Sequence, residues 1–359
     1  MRKYKKIQIK ENSKILILAI SGIGENILLV PTIRELRRNF PKAKITLAVR
    51  FPQVISLLKG LNLIDDFVAC DYKIQNTLVK KIKLISLLRS KKFDVTITSF
   101  PSKKLDKALF SFLIGSPIRI SHTFRSGLMR FFSLLNNYPV EVNENLHDLE
   151  QNLNLLLPLG LDPLRADKKL EVHLSEEAKA KAKSFFKTSK IERDELVIGL
   201  HPGSSISFGM SNKRWGIEKF RSLAKRIISL YQAKIIAFVG EDDSDLSFGD
   251  EVILVKESLD VVASIIARCV LFIANDTGLM HLAAALGVPV IGIFGPTDPK
   301  RTGPRGTKSY IVNKKIACSP CYTFERLGKG ISCNFSNAKC LNEISVNDVL
   351  NEVDKILRR

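Results

Sequence analysis

The chain has 359 residues, which is enough for two domains of ordinary size. Hydrophobic residues make up 45% of the chain and charged residues 26%, which excludes a collagen-like, a disordered or a small disulfide-stapled protein. Lys and Arg number 56 against 36 Asp and Glu, a net charge of +20, so the expected partner is anionic: a nucleic acid, a nucleotide or an acidic lipid.

The basic excess lies mainly in the first half of the chain. Residues 1–170 hold 29 Lys and Arg against 14 Asp and Glu, a net +15, whereas residues 171–359 hold 27 against 22, a net +5. This asymmetry suggests that the first half meets a polyanionic surface, although lysines scattered through a Lys-rich protein would explain it equally well. The apolar stretch after the basic first residues is too short for a signal peptide or a membrane span, which predicts a cytoplasmic protein.

Predicted strands and helices alternate along the first half, as in a parallel sheet. A strand over 14–20 leads through a glycine loop, 21–25, into a helix over 26–40, which is predicted to end before Pro41. The next predicted elements are a strand over 44–49, a short helix over 52–59 and a strand over 93–99. The first half is therefore predicted to be an α/β domain.

The alternation weakens between residues 161 and 193, around a predicted helix over 175–188, and then restarts. We predict a division into domains 1–170 and 171–359, with a final helix able to pack back on the first domain. The second half contains predicted strands over 196–200, 234–239, 270–274 and 290–294, and helices over 217–231 and up to Leu286. Two doubly wound parallel sheets, facing each other across a cleft lined by the loops after the strands, are the expected architecture.

The loop Ser21-Gly22-Ile-Gly24-Glu25 carries the first candidate site. Its glycines let a ligand approach the backbone, but the third glycine of a dinucleotide fingerprint is missing, and the carboxylate of Glu25 would repel a phosphate. A general base is the functional interpretation of Glu25. The alternative is that Glu25 only stabilises the start of the following helix.

Two loops of the second half carry groups suited to a nucleoside diphosphate sugar. His201-Pro-Gly-Ser204-Ser205, followed by Lys213, offers hydroxyls and a cation for a diphosphate, whereas a solvent-exposed basic loop is the alternative. Trp215 is more typical of a core anchor than of a base-stacking residue.

Asn275-Asp276-Thr277-Gly278 precedes the helix that carries His281. Asp276 can accept hydrogen bonds from sugar hydroxyls, and Thr277 and Gly278 can hold a phosphate at the helix N-terminus. A simple N-cap followed by a core-facing histidine is the alternative.

Four cysteines, Cys318, Cys321, Cys333 and Cys340, lie close together near the C-terminus. Their spacing suits a structural zinc or iron site, and a metal is favoured over disulfides in a cytoplasmic protein. Unligated, reduced cysteines are the alternative.

Taken together in chain order, these motifs resemble glycosyltransferase family 9, the lipopolysaccharide heptosyltransferases. The similar segments are Gly22-Ile-Gly-Glu-Asn26, Val30-Pro-Thr-Ile-Arg-Glu-Leu36, His201-Pro-Gly-Ser204, Lys213-Arg-Trp215, Asn275-Asp-Thr-Gly-Leu-Met-His281 and Phe294-Gly-Pro-Thr-Asp298. The resemblance implies a GT-B fold, an ADP-heptose donor held by the second domain and an acidic, lipid-linked oligosaccharide acceptor held by the first. It also implies inversion at the anomeric carbon without a catalytic metal or other cofactor.

The resemblance also implies roles for individual residues. Glu25 would be the base, although the family usually has an aspartate there. Ser204, Ser205, Lys213, Asp276, Thr277, Gly278 and His281 would bind the donor, and Glu241 resembles the family's ribose-binding carboxylate. For Glu241, a solvated acidic turn is the alternative.

Two other functions remain open: a nucleotide-sugar epimerase on the same fold, and a non-enzymatic, basic nucleic-acid-binding protein. No nucleic acid is expected, because the sequence has no zinc finger, no aromatic RNA-binding signature and no arginine-rich helix. We expect the protein to contact the anionic inner face of the cytoplasmic membrane through basic clusters of the first domain. These clusters lie within 80–83, 89–92 and 103–107.

Overall fold

The computed structural model describes residues 6–70, 77–102, 105–124, 135–240, 247–324, 333 and 338–358. The chain divides into two compact units, Met1–His173 and Leu174–Arg359. Each unit contains a six-stranded sheet in which all neighbouring strands are parallel. The α/β class predicted from the sequence is confirmed.

The sheet of the first unit has the strand order β3-β2-β1-β4-β5-β6. These strands are β1 (Lys14–Ala19), β2 (Lys44–Val49), β3 (Asp66–Ala69), β4 (Val95–Thr98), β5 (Ile118–Thr123) and β6 (Tyr138–Glu141). The described helices are α1 (Ile23–Leu28), α2 (Val30–Asn39), α3 (Val54–Leu58), α4 (Leu78–Ser90), α5 (Leu105–Ile114) and α6 (Asp148–Asn154). Strand β1 is apolar on both faces because helices cover both sides of the sheet; Ile15, Leu16 and Ile17 are at most 1% exposed.

The predicted helix over 26–40 is wrong at its start and in its continuity. Helix α1 begins at Ile23, directly after the extended N-cap Gly22, and a second helix, α2, begins at Val30. Pro31 causes the break, since proline cannot donate the backbone hydrogen bond that would continue α1. Glu25 therefore lies in the first turn of a helix and not in a loop.

The second unit repeats the same topology, with the strand order β12-β11-β10-β7-β8-β9. Its strands are β7 (Val197–His201), β8 (Lys234–Phe238), β9 (Val252–Val255), β10 (Leu271–Asn275), β11 (Val290–Phe294) and β12 (Ser309–Asn313). Its described helices are α7 (Glu176–Thr188), α8 (Ile217–Tyr231), α9 (Leu259–Ile266), α10 (Gly278–Ala285), α11 (Pro299–Thr302), α12 (Lys339–Asn342) and α13 (Val346–Leu357). The last helix, α13, packs on α8 and β12 of its own unit.

The strand order reverses between β1 and β4 in the first unit and between β7 and β10 in the second. Such switch points leave an opening at the carboxyl ends of the two central strands, where open α/β sheets bind their ligands. The segment with Glu25 follows β1, and the segments with Ser204 and Asp276 follow β7 and β10. The topology thus places every one of these motifs at a switch point of its own unit. Over the described ranges, no helix has the length and apolar character needed to cross a bilayer.

Candidate functional site

Glu25 is half-buried in the first turn of α1, and its carboxylate folds back over Gly22. A β-carbon added at Gly22 would lie 2.5 Å from Oε2 of Glu25, which is closer than real β-carbons approach another atom. Gly22 therefore makes room for the carboxylate. A carboxylate in the first helical turn is also stabilised by the helix dipole, so both interpretations of Glu25 agree with its position.

Asn26 fixes the turn that carries Glu25. Its side-chain Nδ2 donates hydrogen bonds to the carbonyl oxygen of Gly22 at 2.8 Å and to that of Ala19 at 3.3 Å. Asn26 is fully buried, so these bonds are shielded from water. The Gly22–Asn26 motif does not by itself reveal this role of Asn26; the signal for it in the sequence is a polar residue on the buried side of an apolar helix.

The segment after β4 is tied to the carboxyl end of β1. The hydroxyl of Ser99 donates to the carbonyl oxygen of Leu18 at 3.1 Å, and the next amide, Phe100 N, donates to Oδ1 of Asn152 at 2.8 Å. The buried hydroxyl of Thr98 makes no hydrogen bond within the described residues. These contacts hold the second loop of the first unit's switch point in place, and no motif in the sequence predicts them.

In the second unit, the loop after β7 is held mainly by its own side chains. The buried His201 has Nδ1 2.8 Å from the carbonyl oxygen of Phe238 on the neighbouring strand. The hydroxyl of Ser204 donates to the carbonyl oxygen of Met210 at 3.0 Å, and the guanidinium of Arg214 donates to the carbonyl oxygen of Ser204. Ser205 is exposed. In this structure the Ser204 side chain shapes its loop.

Asn275, at the end of β10, connects the three segments of the second unit's site. Its Nδ2 donates to the carbonyl oxygens of Pro202 at 2.6 Å and Gly203 at 3.3 Å, and its Oδ1 accepts from the backbone amide of Trp215 at 3.1 Å. Trp215 is 2% exposed, and its indole nitrogen donates to the carbonyl oxygen of Ile344, so it is a core anchor as the sequence favoured. Asn275 thereby fixes the segments next to Lys213 and Ser204 at the carboxyl end of β10.

Lys213 and Asp276 form an ion pair at this switch point. The distance between Nζ of Lys213 and Oδ2 of Asp276 is 3.3 Å, and the two side chains are 16% and 7% exposed. Burial alone would raise the pKa of Asp276, but the Lys213 cation, His281 and the Thr297 hydroxyl together hold that pKa below its usual value. Asp276 is therefore a carboxylate at neutral pH, and it accepts a hydrogen bond from a cation.

The N-terminus of α10 lies directly after this pair. Thr277 occupies the N-cap position in an extended conformation, yet its hydroxyl caps no amide, and it makes no hydrogen bond to any residue that the structure describes. The first amides of a helix, here beginning with Gly278, have no acceptor within the helix and favour an anion. His281 is buried one turn further along, close enough to affect the ionisation of Asp276.

The structure thus brings Lys213, Asp276, Thr277, Gly278 and His281 together in the second unit, with Ser204 and Ser205 on the adjacent loop. Glu25, Gly22 and Gly24 belong to the switch point of the first unit. Glu241 lies outside the described residues.

Cys340 of the C-terminal segment is influenced by the other three cysteines. Burial raises the pKa of the Cys340 thiol to about 11, and Cys321, Cys318 and Cys333 add to the increase. Still, no three His, Cys, Asp or Glu side chains of the described residues are arranged to hold a metal ion. The segment contacts the loop after β11, because the amides of Cys321 and Tyr322 both donate to the carbonyl oxygen of Pro296, at 3.0 and 2.8 Å.

Comparison with known sequences identifies relatives of the chain. The family model described as glycosyltransferase family 9 (heptosyltransferase) matches residues 81–331. Lipooligosaccharide heptosyltransferase 2 of Campylobacter jejuni is 28% identical over 182 residues, 47% of this chain and 53% of that protein. This alignment spans about half the length of the relative. A longer one, with lipopolysaccharide heptosyltransferase 2 of Salmonella typhimurium, is 27% identical over 83% of this chain and 87% of that protein.

Solved structures share the fold. A family 9 glycosyl transferase from Veillonella parvula superposes with a TM-score of 0.80 at 22% identity, covering 98% of this chain and 99% of that one. The ADP-heptose heptosyltransferase II of Escherichia coli gives 0.71 at 23% identity over 96% and 98% of the two chains. The iron-containing dodecameric glycosyltransferase TibC of enterotoxigenic E. coli gives 0.62 at 15% identity over 98% and 78%.

Proposed function

The chain belongs to glycosyltransferase family 9, and we propose that it transfers heptose from ADP-heptose to an acidic oligosaccharide of the lipopolysaccharide core. The names of its relatives support this choice of reaction, since they are lipopolysaccharide and lipooligosaccharide heptosyltransferases. The observation that carries the proposal is the Lys213–Asp276 ion pair beside the N-terminus of α10. A cation, a carboxylate and free helix amides are the groups that a diphosphate and a sugar require together.

The donor binds to the second unit in this proposal. The diphosphate of the donor pairs with the Lys213 cation and accepts hydrogen bonds from the backbone amides that begin at Gly278. The Thr277 hydroxyl donates a further hydrogen bond to the diphosphate. Asp276 then accepts hydrogen bonds from hydroxyl groups of the sugar. As the bond between the sugar and the diphosphate breaks, negative charge grows on the leaving phosphate, where these preorganised donors stabilise it.

The acceptor binds to the first unit, whose half of the sequence carries the larger net positive charge. Glu25 accepts the proton from the attacking acceptor hydroxyl, so its carboxylate must come within about 2.6–3.2 Å of that oxygen. The reaction is a single displacement that inverts the anomeric carbon. Lys213 and the α10 amides supply the positive charge for the leaving group, so the proposed reaction uses no catalytic metal.

We propose that the four cysteines hold a structural zinc or iron ion, and since no three possible ligands of the described residues are arranged around a metal in this structure, their thiols must move closer together to bind it. Thiolates are preferred ligands of both metals, and the thiols of Cys318, Cys321 and Cys333 lie close enough to Cys340 to affect its ionisation. The metal would fix the segment that binds the carbonyl oxygen of Pro296 and so support the loop that carries Thr297. Reduced thiols of this kind fit the proposed cytoplasmic location.

The transfer reaction tests the proposal directly. The purified protein is incubated with ADP-heptose and a panel of truncated core oligosaccharides, and the products are analysed by mass spectrometry. We expect one acceptor to gain the mass of one heptose, with matched reactions containing UDP-linked or GDP-linked sugars giving less product. Conversion of the donor in the absence of any acceptor would instead favour the epimerase.

A further inference from the structure

Helices α4 and α5 of the first unit expose an unusual number of large apolar side chains. They are neighbours in contact with each other, and they cover the same core cluster. The described part of the chain has ten exposed large apolar residues, and five of them, between 43% and 61% exposed, lie on these two helices. These five are Val79, Ile82, Leu87, Leu109 and Phe112, and we refer to the surface that they form as the α4–α5 face.

The geometry of α4 explains how one helix has apolar residues on both sides. Leu84 and Leu88 are buried against the sheet. At 100° per residue, Val79 and Ile82 lie about 160° and about 140° away from the buried side, and Leu87 lies at its edge, about 80° away; all three are at least 50% exposed. Packing in the core of this unit therefore does not explain why Val79, Ile82 and Leu87 are apolar.

Helix α5 continues the surface. Leu109 and Phe112 are three residues apart, so they lie next to each other on one side of the helix. The guanidinium of Arg119 lies over the Phe112 ring, 5.4 Å from its centroid, and places a cation beside the apolar residues. Both helices thus combine exposed apolar groups with neighbouring positive charge.

The charged residues of α4 and α5 are predominantly basic. Helix α4 carries Lys80, Lys81, Lys83 and Arg89 and no acidic residue, and α5 adds one lysine and one aspartate. Soluble surfaces usually mix charges of both signs, whereas exposed apolar groups among cations are typical of proteins that lie on an anionic bilayer. The composition of the face matches a lipid surface.

An open cavity of about 610 Å³ lies where α4 and α5 end, at the amino ends of β4 and β5. Arg89 and Lys92 line it together with Asp94. The carboxylate of Asp94 already accepts a hydrogen bond from the backbone amide of Lys14, at 2.7 Å. Two cations in an open cavity next to an apolar surface suit the phosphate of a lipid headgroup.

We propose that the α4–α5 face docks this protein onto a bilayer that contains anionic lipid. The five apolar side chains enter the headgroup region, and the cations of α4 and of the cavity bind lipid phosphates. A second copy of the chain is the competing occupant. Two copies joined by this face would bring their α4 lysines against each other without acidic partners on that helix, which opposes such a dimer. The inference concerns a surface and does not depend on the sugar that the enzyme transfers.

Co-sedimentation of the full-length protein with vesicles tests the apolar part of the face. The vesicles are phosphatidylcholine alone or a mixture with phosphatidylglycerol. The variant Ile82→Ser/Leu87→Ser/Phe112→Ser changes only exposed positions, so the fold is retained. We expect its partition onto the anionic vesicles to fall about tenfold or more. The matched control, Leu164→Ser/Leu230→Ser/Val270→Ser, removes three exposed apolar residues elsewhere and should bind as the unmodified protein does.

Charge variants distinguish binding through the α4–α5 face from attraction by the net charge of the whole protein. Lys80→Gln/Lys81→Gln/Lys83→Gln should lower binding to anionic vesicles about tenfold or more, since each cation near a membrane surface contributes about 1 kcal/mol. Lys179→Gln/Lys181→Gln/Lys183→Gln removes the same charge from α7 of the second unit and should leave binding nearly unchanged. An equal loss in the two variants would overturn the proposal in favour of net charge alone.

Two further measurements complete the test. In sedimentation velocity, a dimer that the serine variant abolishes, with vesicle binding unchanged, would overturn the proposal in favour of self-association. Transfer to an acceptor without its lipid should proceed equally in all variants. That activity shows that the proposed function holds even if vesicle binding fails.

Discussion

In the second unit, Nζ of Lys213 lies 3.3 Å from Oδ2 of Asp276, and neither side chain is more than 16% exposed. Taking two charges out of water is costly, and the attraction within a pair offsets this cost only in part. A buried pair is therefore weak evidence for a role in stability. The geometry is better explained by a site in which each partner keeps the other charged and in place until a diphosphate and a sugar replace that contact.

Replacing Lys213 by alanine should raise the dissociation constant for ADP about tenfold or more, because a charge-assisted contact to the diphosphate is lost. Isothermal titration calorimetry measures this constant. Lys225→Ala, an exposed lysine on α8, is the matched control and should bind ADP normally. Unchanged ADP binding by Lys213→Ala, with only a lower Tm, would show that Lys213 is structural.

Asp276 makes stability depend on pH in a defined direction. Its folded pKa is below the usual value of 3.8, so the ionised carboxylate stabilises the folded protein above that value. We expect the free energy of unfolding of the unmodified protein to exceed that of Asp276→Asn by a constant amount above about pH 5 and by less as the pH falls below about 4. Urea denaturation of both proteins, at a series of pH values from above about pH 5 to below about pH 4, measures this difference in the free energy of unfolding. A difference that grows on acidification would contradict the assignment.

Gly22→Ala should reduce transfer while leaving the fold intact. The backbone of Gly22 has φ −71° and ψ 177°, which alanine adopts without strain, but the new β-carbon would meet the Glu25 carboxylate. Displacing a catalytic group by about 1 Å costs up to about a hundredfold in rate, so we expect kcat to fall about 10- to 100-fold. Thermal unfolding should show a nearly unchanged Tm, and ADP binding should be unaffected. Full activity would show that the position of Glu25 over Gly22 is unimportant.

Metal analysis tests the cysteine proposal. Protein purified without chelators should contain about one zinc or iron ion per chain. The variant Cys318→Ser/Cys321→Ser should lack this ion and should show a clear fall in Tm with only a small change in kcat. Cys269→Ala removes a buried cysteine outside this segment and should keep the metal. Metal-free protein whose Tm equals that of the double variant would rule the site out.

Local patterns predicted many elements closely. The strands Lys44–Val49 and Val290–Phe294 and the helix Ile217–Tyr231 have the predicted bounds, because turn or helix-breaking residues flank each clear apolar pattern. The first helix was wrong because its apolar spacing continues across Pro31, and the proline, rather than the spacing, determines where the chain breaks.

The candidate site was predicted in its residue types but not in its contacts. Lys213 and Asp276 are 63 positions apart, and only the parallel pairing of β7 with β10 brings their segments together. The roles of Asn26 and Asn275 were missed for a similar reason. Each binds backbone carbonyl oxygens of neighbouring segments, and local spacing does not show which carbonyl groups need a donor.

The central claim is that Glu25 acts as the base and that the donor is held by other residues. It is tested most directly by the single-turnover rate of Glu25→Gln, measured with saturating ADP-heptose and the acceptor found in the transfer assay. The amide keeps the size of the side chain but cannot take up the proton. We predict that the single-turnover rate falls about a hundredfold or more, while the dissociation constant for ADP is unchanged. A rate equal to that of the unmodified enzyme would contradict the account.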